Sequence, residues 1–186
     1  MTARSLKSYV VRKDILIYLV EECISKGEFK FSENLLRNNI DRLRIMAFEH
    51  KGYVGMLRSA QAYFGVNMAL LDPGVRSELF QEENRIYTKT KDSVPAKYTK
   101  TASVKRCLVA NECVVEGSVE NSVLFRNVHI GKGARVRNSV ILSGVAVAED
   151  AELEYVILDK NVSVRHRSRL VGNENYPIVV GKGRVV

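Results

Sequence analysis

No stretch of this sequence approaches the ~20 consecutive apolar residues that a membrane-spanning helix needs. The longest candidate is Ile15–Val20. An apolar signal-peptide core near the N-terminus is also missing, so a cytoplasmic protein is expected. Tryptophan is absent, and the only cysteines are Cys23, Cys107 and Cys113, with no CxxC or Cys/His spacing. Such an odd, scattered set fits neither a disulfide framework nor a zinc site, and we read the thiols as reduced and buried. Acidic residues are outnumbered, 21 against 29 Lys+Arg, which leaves a net charge of +8. The excess lies in the second half: residues 1–86 carry 13 cations against 11 acids, residues 87–186 carry 16 against 10. It is densest in Tyr87–Arg106, with six cations and one acid, and in "RHRSR" at Arg165–Arg169. No nucleic-acid-binding motif accompanies it, so a phosphorylated metabolite is the expected anion. Arg165, Arg167, Lys182 and Arg184, joined by Lys97, are the candidate anion-binding residues, because arginine forks suit phosphate and these cations crowd near the C-terminus.

The segment "IGKGARVRNSVI", Ile130–Ile141, has the look of a phosphate loop. A Walker loop, however, ends in Lys-Ser/Thr and opens a helix, whereas Val136 and Val140 suit strands and a second copy, "VGKGRVV", ends at Val186. Gly131 and Gly133 are therefore expected to turn corners. What lies around them is a repeat. Val123, Val140 and Val156 align at spacings of 17 and 16 residues, and each row divides into steps of six. Aliphatic positions fall at Leu124, Ile130 and Val136, at Leu142, Val147 and Leu153, and at Leu158, Val164 and Leu170. Ala134 and Ala151 fill small slots, and an earlier row supplies Val109, Cys113 and Val115. Hexapeptide periodicity predicts a left-handed parallel β-helix over 101–186, with Ile130, Val136, Val147, Leu153 and Val164 pointing inward.

Residues 1–86 read as α/β material. A strand is expected at Leu6–Val11, and a helix from Asp14 to Gly27 with Leu16, Leu19, Val20 and Cys23 on one face. A second helix is capped by Ser32 and carries Leu35, Leu36 and Ile40. Two strands flank Lys51-Gly52, and a helix follows from Ser59 to Leu71, closed by Pro73. Residues 87–100 are the linker.

This order of parts resembles the C-terminal half of bacterial glucose-1-phosphate adenylyltransferase (ADP-glucose pyrophosphorylase). The most specific element is "GYVGMLRSAQAYFGVNMALL", Gly52–Leu71. It resembles that family's Gly-Tyr-Trp-x-Asp-Val-Gly-Thr and the Tyr-Tyr-x-x-Asn-Met-x-Leu-Leu helix after it, with Gly52, Tyr53, Tyr63, Asn67, Met68, Leu70 and Leu71 matching. The family's magnesium-holding aspartate falls at Met56, and its Gly-Thr at Arg58-Ser59. "RSLKSYVV" is similar to the glucose-phosphate strand Ser-Met-Gly-x-Tyr-Val-Phe, with Lys7 in place of glycine and Ser5 as the implied substrate contact. The altered pattern resembles the D-type, non-catalytic subunit. The resemblance implies a partial nucleotidyltransferase (Rossmann-like) α/β segment followed by the β-helix. It also implies a role in making ADP-glucose and pyrophosphate from ATP and glucose 1-phosphate for glycogen. The implied partners are a catalytic subunit or further copies, in a tetramer, and a sugar-phosphate effector. Magnesium belongs to the intact family enzyme; no cofactor, metal or catalytic residue is assigned to this chain. The family's glycine-rich nucleotide loop has no counterpart, which leads us to expect a fragment or a truncated gene. The competing reading is a hexapeptide acyltransferase with an acyl-CoA donor and His129 as base.

Overall fold

A computed structural model describes residues 5–30, 34, 37–83, 85–88 and 91–186. Contacts divide the chain into two compact units, residues 1–51 and 52–186.

In the first unit, helix α1 (Lys13–Lys26) is the main element. Asp14 sits in its first turn, 2.5 Å from the Arg12 guanidinium, which holds that carboxyl below its usual range. Gly27 ends the helix in the left-handed conformation, and the N–H groups of Gly27 and Glu28 close onto Ile24 and Cys23 carbonyls. Leu19 and Cys23 are buried against Ile15 and Leu43. Glu22 accepts from Lys26 at 2.7 Å and from Arg42 at 3.1 Å, and Arg42 also donates to the Tyr18 hydroxyl at 2.6 Å, which ties the following segment to α1.

Here the structure departs from the α/β expectation. Among the described residues no strand occurs before Lys97, so neither Leu6–Val11 nor the pair around Lys51-Gly52 forms, and the Rossmann-like segment is not seen. Period-2 patterning alone does not make a strand; it needs a neighbour to bond with, and Met46 and Phe48 remain 77% and 92% exposed. Ser32, Leu35 and Leu36 lie outside the described residues. What is described after them is a short 3-10 turn, Arg37–Asn39, with Ile40 exposed.

The second unit begins with α2 (Ala60–Ala69), whose N-cap Ser59 accepts the Ala62 N–H at 3.0 Å. Pro73 does more than stop α2, because it opens α3 (Pro73–Leu79) behind the cap Asp72. The coil then starts inside the expected linker. Its first two rungs are β1 (Lys97–Tyr98), β2 (Ser103–Lys105) and β3 (Leu108–Val109), then β4 (Val114–Val115), β5 (Ser118–Glu120) and β6 (Val123–Leu124). The third and fourth are β7 (His129–Ile130), β8 (Arg135–Arg137) and β9 (Val140–Ile141), then β10 (Ala146–Val147), β11 (Glu152–Glu154) and β12 (Val156–Leu158). The last is β13 (Ser163–Val164), β14 (Arg169–Val171) and β15 (Ile178–Val180). Every third strand stacks, which gives three parallel five-stranded sheets and a left-handed β-helix.

The column of side chains inside this prism is aliphatic. Ile130, Val136, Val147 and Leu153 are fully buried and Val164 is 2% exposed, as the six-residue period requires. Each such side chain contributes roughly 1.5–3 kcal/mol. Cys113, Ala134 and Ala151 occupy the small slots. Two register assignments need correcting: Val140 pairs with Ile157, not Val156, and Ile141, not Leu142, joins Leu124 and Leu158 inside. The true step there is 17 residues throughout. The slip arises because the third sheet is apolar on both faces. Its outer Val140 and Ile157 lie under α2, where Phe64 is buried with Tyr63, Met68, Phe125 and Tyr155 around it. For the same reason residues 52–86 group with the coil in one compact unit.

Corners turn on left-handed residues stacked rung upon rung: Gly133, Asp150 and Arg167 at one edge, Asn121, Asn138 and Tyr155 at another. Gly131 is needed for a different reason, since a Cβ there would sit 2.8 Å from the Glu149 nitrogen of the next rung. Strand β8, not a helix, follows Gly131–Gly133, so the corner reading holds there and the phosphate-loop reading fails. At the Asn edge, buried Ser122 and Ser139 hydroxyls each accept from the rung above, at 3.1 and 3.3 Å, and donate to carbonyls at 2.7 and 2.6 Å. Cys107 takes the same slot one rung earlier, its thiol directed at the Lys105 carbonyl.

Candidate functional site

The cationic end of the coil is built by backbone pairing. After β15 the chain turns through Gly181–Gly183 and returns beside β13, where Ser163 N–H donates to Arg184 O at 2.9 Å and Arg165 N–H to Val186 O at 2.6 Å. Gly183 N–H reaches Lys160 O at 2.9 Å, so Lys182 lies next to Lys160. Arg167 occupies the left-handed corner and donates its N–H to Glu149 O at 3.1 Å. Arg165, Arg167, Lys182 and Arg184 are all exposed, and among the described residues none of them forms an ion pair. Cations on neighbouring rungs without acids between them lower the energy of an approaching anion.

Lys97 does not belong with them. It lies on β1, at the opposite edge of the sheet whose other edge is β13, four strand spacings or roughly 19 Å away. Closeness in composition does not fix the rung, and that is what the sequence reading missed. Lys97 instead lines an open cleft of about 550 Å³ with Lys91, Glu112, Cys113 and Asn127, where Lys91 and Glu112 stand 3.5 Å apart.

The second sheet has an opposite character. Arg135, Glu152 and Arg169 stack in register on its outer face, with Arg137 and Glu154 in the next column. Arg169–Glu152 at 2.9 Å and Arg137–Glu154 at 3.1 Å neutralise one another, while Arg135 forms no ion pair among the described residues. Each exposed pair contributes about 0.2–1 kcal/mol.

The remaining sequence candidates are scattered. Ser5 is exposed and its hydroxyl accepts from the Lys7 N–H at 3.2 Å. Lys7 has φ 57°, so the position where the resembled strand carries glycine takes a glycine-like conformation without being glycine. Met56 is half-buried in the irregular segment before α2, and the nearby Tyr53 N–H is taken by the Glu78 carboxylate. His129 faces outward on β7, half exposed, 3.3 Å from Glu116. Cys107 and Cys113 are free thiols that burial pushes up, which favours their neutral form. Burial first, then the Glu28 and Glu22 carboxylates, does the same to Cys23. Among the described residues no helix is long and apolar enough to cross a membrane.

Comparison with known proteins matches residues 91–176 to the family "GlmU-like, C-terminal hexapeptide". The "Glycogen biosynthesis protein GlgD" of Bacillus subtilis is 37% identical over 98% of this chain and 53% of its own length. The protein of the same name from Geobacillus stearothermophilus is 40% identical over 72% of this chain and 38% of its own length. A "Glucose-1-phosphate adenylyltransferase" of Acetivibrio thermocellus is 31% identical over 92% of this chain and 39% of its own length. The chain is a relative of the GlgD and glucose-1-phosphate adenylyltransferase proteins. It spans about half the length of the GlgD relative from Bacillus subtilis and corresponds to the C-terminal portion. The GlgD similarity runs through both compact units, and the hexapeptide match covers most of the coil.

Proposed function

We infer that this chain acts in glycogen biosynthesis as part of a GlgD-like subunit, regulatory or structural and inactive by itself. It would work in an assembly with a catalytic glucose-1-phosphate adenylyltransferase subunit or with further copies. The observation that carries this is the similarity to GlgD along 98% of the chain. The chemistry of residue 56 supports it. The resembled family holds magnesium there with a carboxylate, and a half-buried thioether offers a hard cation nothing. Magnesium therefore does not fit this segment, and no step of catalysis is assigned to it.

Co-expression with the catalytic subunit from the same genome tests the assembly. A stable hetero-complex on size-exclusion chromatography, with an altered response of the catalytic subunit to effectors, is the expected outcome. A chain that remains separate at micromolar concentration contradicts it.

We further propose that the four exposed cations Arg165, Arg167, Lys182 and Arg184 give the coil an effector role. Fructose 1,6-bisphosphate, a dianion at each end, is the probe, and its heat of binding is expected to fall at least tenfold in affinity in the double variant Arg165→Ala, Arg167→Ala, a fold-change worth about 1.4 kcal/mol. Equal affinity in the variant moves the site elsewhere, and Lys97→Ala is expected to leave it unchanged.

A further inference from the structure

Helix α1 carries more apolar surface than its own unit uses. Its inner stripe, Leu19 and Cys23, is buried, but Ile17, Val20 and Ile24 form a second stripe at spacings i, i+3 and i+7. These three are 47%, 39% and 67% exposed. A helix apolar on two faces is the middle of a layered structure, not its surface.

We propose that the Ile17–Val20–Ile24 face docks against the polypeptide that precedes the matched region in the GlgD relatives. Two observations select that occupant. In Bacillus subtilis GlgD the region like this chain is the C-terminal portion, 53% of the whole, so nearly half of that protein lies ahead of it. The patch is also small. A 14-residue helix is roughly 21 Å long, and three side chains on it cover far less than the roughly 1,200–2,000 Å² of a stable interface between separate molecules. An area of that size suits a layer joined through the same chain, where no association entropy opposes it. The inference rests on the similarity alone and not on the inactive-subunit reading, because the adenylyltransferase relatives also extend well beyond the matched region.

The test is a chimera in which the preceding portion of Bacillus subtilis GlgD is fused ahead of this chain, compared with the chain alone. Ile24→Lys is suited to it, since lysine is a good helix former and is favourable near a helix C-terminus. In the chain alone the variant is expected to melt within ~2 °C of its parent, as an exposed substitution should. In the chimera it should melt at least ~5 °C lower. The native Cys23 provides a second reading: its labelling by a thiol reagent is expected to slow at least tenfold in the chimera and to recover with Ile24→Lys. Equal shifts in the two contexts overturn the proposal. So does a chimera that fails to fold, or a dimer of the chain alone that Ile24→Lys dissociates, which would make a second copy the occupant.

Discussion

Leu153→Asp is expected to abolish the β-helix. Leu153 is fully buried on β11, stacked between Val136 and Leu170 with no polar partner facing it. Losing the leucine side chain alone costs about 2–5 kcal/mol, and an unpaired carboxylate in an aliphatic column adds several kcal/mol more. The sum exceeds much of the roughly 5–15 kcal/mol that holds a typical domain together. Far-UV circular dichroism of the variant should lose the native β signal, or the protein should be insoluble. Leu153→Met, close in volume, should stay within about 1.5 kcal/mol of the parent. An aspartate variant that melts within a few degrees of the parent would refute the inward placement.

The purified chain is expected to form no ADP-glucose from ATP and glucose 1-phosphate with magnesium, and Met56→Asp is expected not to change this. Metal-assisted phosphoryl transfer draws several kcal/mol from the ion, about a thousandfold in rate. A single restored carboxylate supplies neither the other ligands nor a cradle for ATP. Activity above a no-protein control that co-migrates with the chain would disprove the inactive reading. Activity appearing only in Met56→Asp would show that the rest of the site is intact.

The coil was legible because its physics is periodic. Ile130, Val136, Val147, Leu153 and Val164 recur at the step the prism imposes, and small residues recur where its interior narrows. Legibility failed where one face had a second use. Val140 and Ile157 are apolar because α2 lies on them, so an aliphatic count does not tell inside from outside, and Val156 and Leu142 fall out of the true register. Apolar pairs repeated in the third sheet, at Val140-Ile141 and at Ile157-Leu158, were the signal of that cover. Among the described residues before α2 the alternating pattern has no strand to pair with, and the expected strands do not form. Of the five anion candidates, the return of the chain along β13 sets the Lys182–Arg184 segment beside the one that carries Arg165. The fifth, Lys97, depended on a stacking order that no linear spacing reveals. Ser5 was carried by resemblance alone, and its placement beside Lys7 neither builds nor excludes a sugar contact.

The packing of α2 on the third sheet has a consequence for synthesis on the ribosome. Phe64 leaves the exit tunnel well before Val140 and Ile157, the residues that bury it. At 5–20 residues per second the gaps of 76 and 93 residues last about 4–19 s. Throughout that interval Phe64, Tyr63 and Met68 have no partner, while the coil winds rung by rung from its first strand. The nascent chain is thus most prone to aggregate before its fourth rung is complete, and a ribosome stall between the codons for Met68 and Ile157 would prolong that exposure.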